Sequence, residues 1–230
     1  MSIENILFII SDQHRADHMG CAGNPVIKTP NLDQLAREGI RFTNAFCTNP
    51  MCMPNRATML TGYYPNTHKV RSNGMILSPD IPTITETLVN LDWRTAAFGK
   101  LHHQFNTHPY RIQDKSAESF GDWVFPKEGY YPVRGNFPIP YYGYQEVERV
   151  IGHGSVCTGH YMNWLEEKAP LLAESMRKRW EDIDNFFAVF CENDLPVELY
   201  TSAYVAERTI TFLEPHANGE YGDHPFYVHC

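Results

Sequence analysis

Ile6-Leu7-Phe8-Ile9-Ile10-Ser11-Asp12-Gln13, residues 6–13, is an unbroken apolar run that ends in a hydroxyl, a carboxylate and an amide side chain. A short continuous apolar run of this kind is typical of a buried parallel strand. It places Asp12 and Gln13 just beyond the carboxyl end of that strand. Because open α/β sheets bind ligands at the carboxyl ends of their strands, we expect functional side chains at this end of the sheet.

A second short apolar run, Thr95–Phe98, is followed by Gly99-Lys100-Leu101-His102. This pattern predicts a further strand, with a lysine and a histidine directly beyond its carboxyl end. By the same rule for open sheets, Lys100 and His102 are candidates for a ligand site.

The segments between and after these strands favour helices. Pro30–Glu38 predicts a short helix that ends at Gly39, and Thr83-Ile84-Thr85-Glu86 is a capping box that opens a helix to about Leu91. Further helices are predicted over residues 161–168, 171–180 and 197–213, and a further strand over 225–229. The alternation of strands and helices predicts an α/β fold with a mainly parallel sheet flanked by helices.

One long stretch lacks any clear periodicity. Residues from about 106 to 143 are rich in Pro, Tyr, Phe and Gly, which predicts an irregular excursion over the mouth of the site, where its tyrosines would shape substrate choice. Among the histidines, His153, between Gly152 and Gly154, and His160, which follows Gly159, are the strongest candidates to line the same mouth. The cysteines and histidines do not have the spacing of a zinc site, because no Cys-x-x-Cys or paired-histidine pattern completes a tetrahedral set.

Cys52-Met53-Pro54-Asn55-Arg56 has the chemistry of an anion site. Pro54 is placed like a first-turn helix residue and Gly62 like a C-cap, so Cys52 is expected at a helix N-terminus. The exposed backbone N–H groups and the positive end of the helix dipole there favour an anionic group. Arg56 adds a permanent charge with a fork of hydrogen-bond donors.

These features belong to a series of motifs that occurs in order over the first hundred or so residues. The series is Asp12-Gln13, Thr29-Pro30-Asn31-Leu32, the run 39–45, Cys52-x-Pro54-x-Arg56 continuing to Leu60-Thr61-Gly62, and Gly99-Lys100-x-His102. A five-residue pattern recurs by chance, but an ordered series at element ends does not. The series resembles the sulfatases of the alkaline phosphatase superfamily, and it implies their alkaline-phosphatase-like fold.

The resemblance implies a covalent mechanism at Cys52. A maturation enzyme would oxidise the thiol to formylglycine, and one hydroxyl of the hydrated aldehyde would attack sulfur and expel the alcohol. The second hydroxyl would then allow sulfate to leave by C–O cleavage, so that one hard step becomes two easier ones. Arg56 would hold the diol, and Lys100 and His102 would neutralise the sulfate oxygens, which makes all four residues the predicted catalytic set.

The resemblance also implies a divalent cation bound by Asp12, Gln13 and the modified Cys52. Gln13 replaces the second Asp of many sulfatases, as in their phosphonate monoester hydrolase and choline sulfatase relatives. Because Ca²⁺ takes about six to eight hard oxygen ligands and tolerates amides, we expect Ca²⁺ rather than Mn²⁺, although the substitution is compatible with both. Asn73, in Arg71-Ser72-Asn73-Gly74, is a candidate substrate-binding amide, and a Ser-Asn-Gly turn explains it equally well.

Composition restricts the partners that we expect. The chain has 230 residues, 43% of them hydrophobic, and a formal net charge of -8. The absence of a basic cluster argues against nucleic acid, and the five-residue apolar run near the N-terminus is too short for a signal peptide or a membrane span. We therefore expect a cytoplasmic protein with reduced cysteines. The resemblance to the sulfatases implies a small-molecule sulfate ester as its substrate.

The chain is shorter than a typical sulfatase, and no match is found for the family's leaving-group His, its Asp-His or Asp-Asn metal pair, or its second Lys. His229 is predicted inside a strand and is not assigned that histidine's role. We therefore interpret residues 1–230 as the N-terminal part of a single catalytic domain, incomplete at the C-terminus, whose open sheet edge would allow homo-oligomers. Sulfate ester hydrolysis is the leading hypothesis. The alternatives are phosphonate or phosphate monoester hydrolysis at the same site and a catalytically incomplete anion-binding fragment.

Overall fold

The structure is a computed structural model that describes residues 4–106, 116–118, 137–154, 156–181 and 195–230. The chain divides into two compact units. The larger unit comprises Met1–Phe8 and Thr48–Cys230, and the smaller unit comprises Ile9–Cys47. The helices and strands that follow belong to one unit or the other, and each unit is described by itself.

The larger unit is built on a mixed sheet. Its strands are β1 (Ile6–Phe8), β2 (Arg94–Gly99), β3 (Glu146–His153), β4 (Val156–Gly159) and β5 (Phe226–His229). In the described part of the chain they form one sheet in the order β1-β5-β2-β3-β4, in which only β4 runs antiparallel to its neighbour. The predicted α/β fold with a mainly parallel sheet is therefore confirmed.

The helices of the described residues flank this sheet or belong to the smaller unit. They are α1 (Pro30–Glu38), α2 (Cys52–Thr61), α3 (Pro65–His68), α4 (Ile84–Asn90), α5 (His160–Lys168), α6 (Pro170–Glu181) and α7 (Thr201–Ala217), with short 3-10 helices at Gly20–Ala22 and Val197–Leu199. None of them is long and apolar enough to cross a membrane.

Alternation along the central strands gives the sheet two buried faces. Ala97 of β2 and Tyr227 of β5 pack in one core with residues of α2 and α4, among them Met53, Ala57, Leu60 and Leu88. Ala96 and Phe98 of β2 pack in another core with Phe212 of α7. Because successive side chains of a strand point to opposite faces, the parallel strands need helices on both sides.

Several local predictions are confirmed. Thr83 and Glu86 form both hydrogen bonds of the predicted capping box. Gly39 and Gly62 follow the last residues of α1 and α2, and Gly62 adopts the left-handed conformation, with φ 72°, that favours glycine. The predicted strands over 95–98 and 225–229 correspond to β2 and β5.

Two predictions are wrong in part. The first strand ends at Phe8 and lies at the sheet edge of the described chain, and Leu7 is 46% exposed rather than buried. The helix predicted over 197–213 is interrupted at Tyr200, whose extended backbone separates a 3-10 turn from α7. Strands β3 and β4 were not predicted. Within the irregular stretch predicted over 106–143, residues 107–115 and 119–136 lie outside the described residues.

The smaller unit is held by polar contacts around Asp33 of α1. Oδ1 of Asp33 accepts hydrogen bonds from the backbone N–H of Cys21 at 2.6 Å and from the Thr29 hydroxyl at 2.9 Å. A Cβ atom on Gly20 would lie 2.4 Å from Asp33 Oδ2, so a glycine is needed where the 3-10 turn approaches α1. All residues of α1 are described, and none of them is buried.

Candidate active site

Cys52 is the first residue of α2, as the sequence predicts. The preceding residue, Met51, has an extended backbone, and its carbonyl accepts the first helical hydrogen bond from Asn55 at 3.1 Å. Cys52 is half-buried and has a free thiol. The helix buries Met53 and Ala57 beneath it. Cys52 therefore lies where the N–H groups and positive dipole end of a helix favour an anion.

Asn73 lies directly against this helix N-terminus. Its side-chain oxygen accepts hydrogen bonds from the Cys52 thiol at 3.3 Å and from the backbone N–H of Met53 at 3.2 Å. One of the N–H groups that α2 leaves without a helical partner is thereby satisfied. The amide oxygen of Asn73 thus holds Cys52. Its assignment as a substrate-binding residue stays a prediction.

Arg56 lies one helical turn after Cys52 and is buried, with 6% of its surface exposed. Its Nη1 donates a hydrogen bond to the backbone carbonyl of Lys100, 2.5 Å away. This contact joins α2 to the loop that follows β2, 44 residues later in the chain. The sequence places Arg56 and Lys100 in one site, and the structure brings them together.

Lys100 and His102 lie on the loop after β2, and their environments differ. Lys100 is half-buried, and its Nζ lies 3.2 Å from Nε2 of His153, a histidine predicted at the mouth of the site. His102 is buried and adopts a left-handed backbone with φ 57°. That conformation costs a residue other than glycine roughly 1–3 kcal/mol, so it persists only where surrounding contacts impose it. We call Cys52, Arg56, Asn73, Lys100 and His102 the Cys52 cluster.

His160, also predicted at the mouth, has a structural contact instead. Its Nδ1 accepts a hydrogen bond from the backbone N–H of Arg149 at 2.9 Å. Burial, followed by the charge of Arg149, lowers the pKa of His160 to about 4. The ring is therefore neutral near pH 7 and links the start of α5 to β3.

The sequence did not predict that His103 and His229 form a layer of neutral histidines near Arg56. Nδ1 of His229 lies 2.9 Å from the Tyr144 hydroxyl, and the ring of His103 stacks on Tyr144 with a centroid distance of 6.4 Å. Burial, then the Arg56 charge, lowers the pKa of His229 to about 3. Burial also holds the pKa of His103 far below its usual value, reinforced by His229 and Arg56.

The consequence of this layer is electrostatic. Both ring nitrogens of His103 and Nε2 of His229 are without a hydrogen-bond partner among the described residues, and a protonated ring would need acceptors there. Because these histidines stay neutral at pH 7, they add no positive charge to that of Arg56. The only sequence clue to the layer is the position of His103 beside His102 and of His229 at the end of a strand.

Asp12 and Gln13 belong to the smaller unit, and both are exposed. The backbone N–H of Gln13 donates to Oδ1 of Asp12 at 2.9 Å. Among the described residues no group of three or more His, Cys, Asp or Glu side chains could hold a metal ion. Two oxygen-bearing side chains fall short of the about six to eight ligands that Ca²⁺ takes. The residues that the structure describes do not complete the predicted metal site.

Comparison with known proteins identifies the family. The family model for sulfatases, whose description is "Sulfatase", matches residues 4–165, which hold the Cys52 cluster as well as Asp12 and Gln13. The chain belongs to the sulfatase family. The prediction drawn from the ordered motifs is therefore confirmed.

Two similar sulfatases are much longer than this chain. An ulvan-active sulfatase of Formosa agariphila is 42% identical over 119 residues, which cover 52% of this chain and 23% of that protein. The N-acetylglucosamine-6-O-sulfatase of Bacteroides thetaiotaomicron is 37% identical over 98 residues, which cover 43% of this chain and 18% of that protein. The matched segments thus span less than a quarter of the length of each of these relatives.

Solved structures confirm the alkaline-phosphatase-like fold. The phosphonate monoester hydrolase of Agrobacterium radiobacter superposes with a TM-score of 0.64 and 21% identity, covering 99% of this chain and 40% of that one. At this identity the likeness is one of fold alone. The fold of this chain thus corresponds to less than half of that larger structure.

Proposed function

We propose that the protein hydrolyses sulfate esters of small molecules and that Cys52, after conversion to formylglycine, supplies the nucleophile. The observation that carries the proposal is the position of Cys52 at the N-terminus of α2, with the Asn73 amide against its thiol and Arg56 bound to the Lys100 carbonyl. Membership of the sulfatase family supports the same reaction.

When formed, formylglycine supplies a hydrated aldehyde that attacks sulfur and later releases sulfate without a second attack at sulfur. The other residues act on binding and charge. The N–H groups of α2 and the Arg56 guanidinium favour the anionic sulfuryl group at Cys52. Lys100, whose Nζ lies 3.2 Å from Nε2 of His153, offers an ammonium group to the substrate. His102, held by its loop, is the second candidate for neutralising the sulfate oxygens.

Arg56 also has a structural part in this arrangement. Because one of its N–H groups is bound to the Lys100 carbonyl, Arg56 fixes the distance between α2 and the loop that bears Lys100 and His102. The planar guanidinium group has the fork geometry that suits an oxyanion. A lysine in its place would keep the charge and lose the fork.

Mass spectrometry of the purified protein, produced with a formylglycine-generating enzyme, tests the nucleophile. Trypsin releases residues 42–56 as one peptide, which contains both Cys47 and Cys52. Conversion of Cys52 to formylglycine lowers the mass of this peptide by about 18 Da. Fragmentation should place the change at residue 52, with Cys47 as the internal unmodified thiol. An active preparation in which Cys52 remains a thiol would contradict the proposal.

A phosphonate or phosphate monoester hydrolase is the second candidate, because Gln13 leaves one carboxylate fewer than many sulfatases have and Asn73 contacts the nucleophile. Steady-state rates on a nitrophenyl sulfate and on a phenyl phosphonate separate the two. We expect the larger kcat/KM for the sulfate, since the Lys100 and His102 pair resembles the sulfatase clamp. A dominant phosphonate activity would reverse the assignment. Inactivity on both, with retained sulfate binding, would indicate an anion-binding fragment.

A further inference from the structure

The carboxylate of Glu118 is buried against the loop that carries Lys100 and His102. Glu118 is only 2% exposed. Its donors are the backbone N–H of His102 at 2.7 Å, of His103 at 2.9 Å and of Gln104 at 3.2 Å, and the Tyr141 hydroxyl at 2.6 Å. Three successive N–H groups of the loop thus converge on one side chain.

These contacts account for the unusual backbone of the loop. Convergence of successive N–H groups on an anion requires a curved backbone, and His102 has the left-handed φ of 57°. The contact is reciprocal, because the backbone N–H of Ala117 donates to Oε1 of Gln104 at 2.7 Å. The peptide that includes Glu118 and the loop therefore hold each other in place.

Glu118 is not placed to take part in the chemistry itself. A carboxylate has about four lone-pair directions, and four donors are directed at this one. Burial, then the charge of Glu118, raises the pKa of Tyr141, so its hydroxyl keeps the proton that it donates. Three of these donors meet Oε1 and one meets Oε2, and at 2% exposure the carboxylate is shielded from a substrate.

We propose that Glu118 is a positioning residue, which holds the loop of Lys100 and His102 in the conformation that presents these two side chains to an anionic substrate. The proposal rests on the proposed function for its effect on catalysis, because Lys100 and His102 are the candidates for binding sulfate. Its geometric part, the anchoring of the loop, does not depend on the reaction.

Glu118→Gln in the full chain is the test, with Glu148→Gln as the matched control. Glu148 is a half-buried carboxylate that, like Glu118, accepts from several donors, the Tyr204 hydroxyl at 2.7 Å and two nitrogens of Arg208. Those donors lie on α7, so the control loses a comparable set of bonds without touching the loop. Glu118→Gln places an NH2 group where N–H donors need an acceptor.

We expect three results. The amide NMR signals of residues 102–104 should shift in Glu118→Gln and stay in place in Glu148→Gln. Affinity for inorganic sulfate should fall about tenfold or more, and kcat/KM for a nitrophenyl sulfate should fall by a similar factor in Glu118→Gln alone. Tyr141→Phe, which removes one donor and leaves the three N–H groups, should give a smaller loss in the same direction, and it serves as the test variant if Glu118→Gln does not fold.

Each outcome has a distinct meaning. Unchanged amide signals, or an equal loss of sulfate affinity in Glu148→Gln, would overturn the positioning role. Absence of turnover in the unmodified sequence would count against the proposed function only. In that case the amide signals and the sulfate affinity would still decide whether Glu118 sets the loop.

Discussion

The Cys52 cluster and the segment with Asp12 are built in different ways. In the Cys52 cluster the contacts join residues far apart in the chain: the Cys52 thiol donates to Asn73, and Arg56 donates to the Lys100 carbonyl. In the smaller unit, Asp12 accepts a hydrogen bond from the adjacent residue, Gln13, and both side chains are exposed.

This difference shows which of the predicted site residues are fixed in place by the fold. Burial of Arg56 and Glu118 fixes the Cys52 cluster through the same contacts that stabilise the larger unit. Asp12 and Gln13 offer oxygen ligands on an exposed segment, where a change of side chain has little effect on the free energy of unfolding. Substitution of a buried residue of the Cys52 cluster should therefore affect both activity and stability. Substitution of Asp12 or Gln13 should affect activity and leave stability nearly unchanged.

The largest effect is expected from Cys52→Ala. If Cys52 is the nucleophile, kcat for a sulfate ester should fall by at least about a thousandfold. The free energy of unfolding should change by less than about 1 kcal/mol, because the thiol is small, half-buried and hydrogen-bonded only weakly to Asn73. Kinetics and chemical denaturation measure the two effects. Cys47→Ala, at an exposed thiol, is the control and should retain full activity. Substantial activity in Cys52→Ala would remove the Cys52 cluster from the reaction.

Much of the Cys52 cluster could be predicted from sequence because its residues follow local rules. The strand that precedes Gly99 predicts the position of Lys100 at its carboxyl end. The signals at Pro54 and Gly62 predict a helix with Cys52 at its N-terminus. Neither prediction needs knowledge of the packing. The fold class followed from the same alternation of strands and helices. The domain organisation, a single catalytic domain over residues 1–230, stays a prediction.

The parts that could not be predicted depend on pairs of residues distant in the chain. Strand β3 contains Glu148 and Arg149, which break the apolar pattern of a buried strand. Only the fold shows that Arg208 of α7 compensates the charge of Glu148 and that the Arg149 side chain donates to the Ala117 carbonyl. Glu118 gave no local signal either, since its four donors come from two other segments.

An intermediate effect is expected from Asp12→Asn. If Asp12 is a metal ligand, loss of its carboxylate charge should lower the content of bound divalent cation and reduce kcat/KM by at least about tenfold, since loss of a group that only supports a ligand already costs that much. The melting temperature should stay nearly unchanged, because an asparagine oxygen still accepts the hydrogen bond from Gln13. Elemental analysis after dialysis against Ca²⁺ or Mn²⁺ gives the metal content.

Asp17→Asn is the matched control for this variant, because Asp17 is an exposed acid of the same unit that pairs with Arg15 at 2.7 Å. It should leave the metal content and kcat/KM unchanged. If Asp12→Asn bound metal as well as the unmodified protein does, Asp12 would have only a turn role. The difference between the two regions would then be structural and not functional.

The smallest effect on activity is expected from the buried histidines near Arg56. They should make the free energy of unfolding depend on pH. The pKa of His229 is lowered to about 3 and that of His103 lies well below 6.5, so the unfolded chain binds protons between about pH 6.5 and 3 that the folded chain does not. The free energy of unfolding should therefore be highest above pH 6.5 and should fall as the pH decreases through this window. Each such histidine contributes a slope of up to about 1.4 kcal/mol per pH unit.

His103→Leu tests this origin of the slope. Because the ring nitrogens of His103 are without hydrogen-bond partners among the described residues, leucine removes a titrating group from a buried site without removing a bond. Urea denaturation between pH 7.5 and 4 should give a shallower decline for His103→Leu than for the unmodified protein, with similar stability at pH 7.5. His224→Leu, at an exposed histidine, controls for the substitution itself. If the free energy of unfolding of His103→Leu and of the unmodified protein fell with the same slope, His103 would not be the source of the pH dependence. The Cys52 cluster would then differ from the exposed Asp12 segment in packing alone.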